Sequence, residues 1–240
     1  MKKLAPKKEI TDFSIKKDHK FYHHDFKIAF LSECELNRLN GYKSFKKQIE
    51  WIAGRFLVKN MVKYFVDSDV ELPNVKISYK EEGAPFLEQF PTVAVSITHS
   101  GNYAAAALSK TYKNIGIDIE KSDYQPAESF MKIAFTDKEI ADIELNVQKK
   151  LILQKELSEN NRIDNFEEKV SNNKLFGQEV MRRWTLKEAF LKYIGKGFNE
   201  KLKSVEIVYN TILYNGKDAI NITIDSFNID ENYLLSIIYG

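Results

Sequence analysis

Apolar residues recur along this chain at two periods, and the two periods divide it into helices and strands. Between Lys47 and Phe65, the residues Ile49, Ile52, Phe56, Met61 and Phe65 trace an approximate 3.6-residue stripe, which predicts a helix. Val75 to Tyr79 alternates as a strand does, and Gly83-Ala84-Pro85 then predicts a turn. A second strand is predicted over Val93–Ile97, running into the polar tripeptide Thr98-His99-Ser100. Tyr103 to Leu108 is small and apolar and fits a buried strand or a helix by periodicity alone. The tight turn implied by Gly101-Asn102 favours the strand. Ile115 to Ile119 is a third strand.

Further along, Ser129–Phe135 is predicted helical, and Thr136 caps the next helix with Glu139 completing a capping box. The character changes from Gln148 to Gln178. Glu156 to Arg162 and Ser171 to Lys174 are polar and poorly periodic, which predicts a solvated insertion with some helix. An amphipathic helix is predicted over Arg182–Ile194, stopped by Gly195 and Gly197. From Val205 to Tyr239 β-branched and polar residues alternate around Asn215-Gly216, a hairpin signal. The whole reads as α+β, with helices packed on largely antiparallel sheet.

Composition narrows the function classes. With 240 residues and 43% hydrophobic content, the chain has enough material for a core. A net charge of +2 gives no bulk attraction to nucleic acid or membrane, so any anion binding must come from local clusters. The single cysteine, Cys34, leaves no internal disulfide and no multi-cysteine zinc site, in keeping with a cytoplasmic protein. The basic start (Lys2, Lys3, Lys7, Lys8) is expected to be loosely ordered. No apolar core of a signal peptide follows it, and no segment approaches the roughly 20 apolar residues of a membrane helix.

Two acidic segments carry candidate chemistry. In a strand over Gly116-Ile117-Asp118-Ile119-Glu120, Ile117 and Ile119 point to one face while Asp118 and Glu120 project together from the other. Such a pair is either two solvated acids or a ligand pair for a hard cation such as Mg²⁺, which prefers carboxylate oxygens. On the helix beginning Trp184-Thr185-Leu186-Lys187-Glu188, residues Trp184, Glu188 and Lys192 share one face. Leu186, Ala189, Phe190 and Tyr193 cover the opposite, core-seeking face. Glu188 and Lys192 alone would be an ordinary surface pair. A large aromatic left beside them on a solvated face points instead to a phosphate-and-metal site.

These residues resemble the ordered motif series of the surfactin-type 4′-phosphopantetheinyl transferases. The motifs are Ile97-Thr98-His99-Ser100-Gly101, Gly116–Glu120, Phe135-Thr136-Asp137-Lys138-Glu139, and Trp184–Lys192 with Gly195-Lys196-Gly197. Ala53-Gly54-Arg55 and Gly83-Ala84-Pro85 fall where that family has its N-terminal signatures, so the resemblance spans roughly residues 45–200. It implies coenzyme A as donor, the serine of an apo acyl or peptidyl carrier protein as acceptor, and adenosine 3′,5′-bisphosphate as by-product. It also implies that Asp118, Glu120 and Glu188 hold Mg²⁺. Glu188 would take the serine proton, and Lys192 would contact the pyrophosphate. Donor contacts are implied for His99, Thr98, Gly83 and Pro85, with Lys47 and Arg55 (or Lys46 and Lys59) as candidates for the 3′-phosphate. The family's Gly-Lys-Pro is Gly83-Ala84-Pro85 here, so its lysine is missing, and Lys80 is a nearby substitute. The implied architecture is two similar α/β halves with pseudo-twofold symmetry, residues 1–112 and 113–240, in a monomer. Competing readings are another Mg²⁺-dependent phosphotransferase or nuclease, and a non-catalytic carrier-binding homologue. The intact Asp118, Glu120, Glu188 and Lys192 set weighs against the second. Which carrier and which pathway the protein would serve is not written in the sequence.

Overall fold

The structure is a computed structural model that describes residues 13–16, 29–123, 125–157 and 165–240. Most of the basic start and part of the polar 148–178 stretch lie outside the described residues. Helix α1 (Glu33–Asn40) is opened by a capping box between Ser32 and Glu35. Helix α2 (Phe45–Phe65) starts two residues before the predicted Lys47 because Ser44 accepts the Lys47 amide as N-cap. Strands β2 (Ile77–Tyr79) and β3 (Pro85–Leu87) form a hairpin over the predicted turn, with Gly83 in the left-handed region at φ 90°. Strand β4 (Ala94–Ser100) continues through the polar tripeptide and pairs with β5 (Tyr103–Ser109). The far edge of β5 carries β1 (Phe13–Lys16), which the apolar pattern does not announce.

The second half begins with β6 (Ile115–Lys121), followed by α3 (Glu128–Ala134), α4 (Asp137–Leu157) and α5 (Asn165–Tyr193). Thr136 and Glu139 make the expected reciprocal bonds at the head of α4. Strands β7 (Val205–Val208), β8 (Thr211–Tyr214) and β9 (Lys217–Asp218) form one small sheet, with Asn215-Gly216 as its turn at φ 51° and 76°. Strands β10 (Thr223–Asp230) and β11 (Tyr233–Tyr239) complete a sheet in the order β10-β11-β6. The architecture is mixed α+β with antiparallel pairings, as expected.

Packing follows from side-chain size. Ala104 and Ala106 of β5 face Leu57, Val58, Met61 and Val62 of α2. The alternate residues Ala105 and Ala107 face Ile117, Ile119, Leu235 and Ile237. Small side chains on both faces of β5 let a helix approach from one side and a second sheet from the other. Leu186, Ala189 and Phe190 of α5 then bury the remaining face of β6 and β11 with Val205, Ile207 and Ile238. The order is helix, sheet, sheet, helix.

Where it is described, the polar 148–178 stretch is the end of α4 and the first half of α5, more helical than expected, and its described side chains are mostly exposed, as a solvated stretch predicts. Beyond it, these helices join through charge. Glu179 takes bonds from Lys150, Arg182 and Arg183, and Arg183, fully buried, also reaches Asp142 and the Ile207 carbonyl. One expectation is corrected: α5 has no solvated face around Glu188, because Arg183, Thr185 and Lys187 are buried alongside its apolar residues. Trp184, half-buried, packs edge-on against Phe130 with ring centroids 5.0 Å apart.

Candidate active site

Gly116 decides how closely α5 approaches β6. A Cβ there would lie 1.9 Å from the Ala189 carbonyl oxygen and 2.5 Å from the Tyr193 amide nitrogen, so only glycine lets the helix backbone rest on the strand. That approach brings the Glu188 and Lys192 face of α5 over the Asp118 and Glu120 face of β6. Asp118 and Glu188 are each only 4% exposed. Lys192 Nζ donates to Asp118 Oδ1 at 2.6 Å and to the Ile117 carbonyl at 3.0 Å.

The three carboxylates feel one another. Burial, then the neighbouring Asp118 charge, raises Glu188 to about 7, against an opposing pull from Lys192. Glu120 is also raised, first by burial and then by Asp118, although hydrogen bonds from Ser100 and Trp184 resist the shift. Two buried oxygens, Asp118 Oδ2 and Glu188 Oε1, have no hydrogen-bond partner among the described residues. Orphaned carboxylate oxygens among mutually repelling acids fit an oxygen-seeking cation, which would satisfy both. Among the described residues no three His, Cys, Asp or Glu side chains form a ready-made metal cage. That is compatible with Mg²⁺, which typically takes one or two carboxylates and completes its shell with substrate phosphate and water.

Strand β4 lies beside β6, and among the described residues no backbone ladder joins them. Side-chain hydroxyls do so. Ser96 Oγ accepts from the Ile117 amide at 3.1 Å, and Thr98 Oγ1 accepts from the Ile119 amide at 3.3 Å while donating to Asp118 Oδ1 at 2.8 Å. Ser100 Oγ donates to Glu120 Oε2 at 2.7 Å. The β4–β5 turn is fixed in its turn by Tyr233, whose hydroxyl accepts the Asn102 amide and fills the space a side chain at Gly101 would need.

A cleft of about 590 Å³ opens next to the acids, lined by Lys47, Arg55, Gly83, Pro85, His99 and Lys192, together with Trp51, Tyr79 and Gly195. The structure therefore brings together six of the seven residues read as donor contacts. Thr98 is not in that lining; its hydroxyl is engaged with Asp118 and Ile119. Arg55 is buried, stacked 4.3 Å from the Trp51 ring centre, and donates to the Tyr79 hydroxyl at 2.7 Å. Lys59 is excluded from the cleft: it is fully buried and held by Glu35 at 2.6 Å and the Leu72 carbonyl. Lys46 is an exposed partner of Glu50, and Lys80 is exposed at the base of the hairpin and does not line the cleft. A shallower hollow beyond Glu120 is walled by Ser100, Phe130, Met181 and Trp184. Sequence reasoning assigned no role to Ser96, Ser100, Trp51 or Tyr79. The serines carried a signal in their period of two, matching that of the acids on β6.

Comparison with known proteins decides the family. Residues 114–237, more than half of the chain, match the model of the 4′-phosphopantetheinyl transferase superfamily. The chain belongs to that superfamily. Residues 43–109 match the 4′-phosphopantetheinyl transferase N-terminal domain. Among similar proteins, the 4′-phosphopantetheinyl transferase HetI of Nostoc sp. is 28% identical over 182 residues, 75% of this chain and 65% of that protein. The L-aminoadipate-semialdehyde dehydrogenase-phosphopantetheinyl transferase of Xenopus laevis is 26% identical over 171 residues, 65% of this chain and 46% of that protein. The mouse protein of the same description is 21% identical over 204 residues, 78% of this chain and 59% of its own. The chain thus spans between 46% and 65% of the length of these superfamily relatives. Among its described residues, no helix is long and apolar enough to cross a membrane.

Proposed function

We propose that this chain is a surfactin-type transferase that moves the 4′-phosphopantetheine arm of coenzyme A to a serine hydroxyl of an apo acyl or peptidyl carrier protein. The reaction would depend on Mg²⁺ and release adenosine 3′,5′-bisphosphate. The observation that carries the reading is the meeting of Asp118, Glu120 and Glu188 beside a cleft whose basic wall includes Lys192. In this reading Lys47, Arg55 and His99 bind the donor's phosphates, and Gly83 and Pro85 shape the wall opposite Gly195. Asp118, Glu120 and Glu188 would hold the metal ion, which when bound would supply neutralisation of phosphate charge.

The chain's own residues handle the protons. The serine oxygen attacks the phosphorus that bears pantetheine, and the bond from that phosphorus to the bridging oxygen breaks. Glu188, whose carboxyl burial and Asp118 raise in the metal-free protein, is in this reading the base that takes the serine proton, directly or through water. Lys192 stands where it can neutralise or protonate the departing phosphate, and its bond to Asp118 fixes its ammonium group. Purified protein incubated with coenzyme A, Mg²⁺ and a panel of apo carrier proteins should add one phosphopantetheine arm to a carrier, read by intact-mass spectrometry. Folded protein that modifies no carrier in the panel would overturn the proposal.

A further inference from the structure

We infer that Thr98 and Ser100 are positioning residues that orient the two β6 carboxylates, so that β4 sets the geometry of the acidic site. This rests on the proposed function above. Three hydroxyls project from β4 toward β6 at every second residue, but they do different things. Ser96 accepts from the Ile117 backbone amide of β6, and among the described residues it bonds to neither acid. Thr98 holds both the Ile119 amide and Asp118 Oδ1, and Ser100 holds Glu120 Oε2. Each of the latter two therefore occupies one oxygen of an acid and fixes the direction of the other.

The consequence is clearest at Asp118. Its Oδ1 receives both Thr98 and Lys192, while its buried Oδ2 has no partner among the described residues and is the oxygen left for a cation. A carboxylate with one oxygen tied cannot swing to give both oxygens to the lysine. It is presented in a single pose, which lowers the ordering cost of binding an ion. Thr98 suits this task because its branched side chain has few rotamers and its hydroxyl both donates and accepts. The donor contact implied for Thr98 by the family resemblance is thus replaced by a contact behind the acids.

The test is a Mn²⁺ titration followed by electron paramagnetic resonance, with coenzyme A present and no acceptor, run beside thermal denaturation. Thr98→Val and Ser100→Ala should each weaken Mn²⁺ binding by about tenfold, and Thr98→Ser should restore it. Ser96→Ala should lower the thermal midpoint without moving Mn²⁺ affinity. Unchanged affinity in Thr98→Val and Ser100→Ala would overturn the inference and leave the proposed function standing. So would an equal loss in Ser96→Ala, because strand rigidity alone would then explain the effect. Native protein that binds no Mn²⁺ with coenzyme A would remove the metal assignment itself, and this inference with it.

Discussion

Asp118 has two oxygens with different surroundings, one bonded to Thr98 and Lys192 and one buried with no hydrogen-bond partner among the described residues. Glu188 sits against that arrangement with its own orphan oxygen and a proton affinity near neutrality. Glu188→Gln keeps the side chain's shape but removes its capacity to take a proton. It should lower the transfer rate by about 10²–10⁴-fold, measured by carrier mass shift, with an unchanged circular dichroism spectrum. The acids and Lys192 were legible in the sequence because their spacing follows local geometry: alternate residues share a strand face, and residues four apart share a helix face. The bonds of Thr98 to Asp118 and the Ile119 amide were not legible, because they depend on which strand lies beside β4. That is a tertiary fact, and no local period encodes it.

At the scale of elements, the site exists because α5 touches β6 through Gly116. Gly116→Ala would place a methyl group against the Ala189 carbonyl and the Tyr193 amide. It should cost about 3 kcal/mol of stability, read by urea denaturation, and reduce transfer even where the protein is folded, because Glu188 and Lys192 shift together. The pairing of α4 with α5 makes a separate prediction. Burial alone would raise Glu179, but bonds and charge from Arg182 and Lys150 hold it down to about 2. The unfolded carboxyl protonates first, near its ordinary pKa of about 4.5. The stabilisation is therefore complete above that pH and is lost as pH falls toward 2, amounting to about 3 kcal/mol. Glu179→Gln should flatten the acid limb of the stability curve between those limits, followed by chemical denaturation at each pH. The extent of helix within 148–178 was not legible because its described residues are mostly exposed and carry little apolar period, whereas α2, the strands β4 to β6 and the Asn215-Gly216 hairpin declared themselves through apolar period and turn residues.

At the scale of the molecule, the cleft is walled by segments far apart in sequence: α2, the β2–β3 hairpin, β4, and the loop after α5, where Asn199 donates to the Glu82 carbonyl. A ligand filling it should stabilise all these segments at once. Coenzyme A at one hundred times its Kd should add about 2.7 kcal/mol and sharpen a single thermal transition. A ligand-insensitive transition for residues 43–109 would contradict that coupling. The sheet order β10-β11-β6 has a consequence for the timing of synthesis. Strand β6 finds its backbone partner in β11, where Leu234 pairs with Glu120 about 110 positions later. At a translation speed of roughly 5–20 residues per second, the isoleucine-rich strand waits on the order of ten seconds for that partner. During this interval a nascent chain on the ribosome carries β6 as a strand without its backbone partner, and a chaperone that shields unpaired strands has its window of action there.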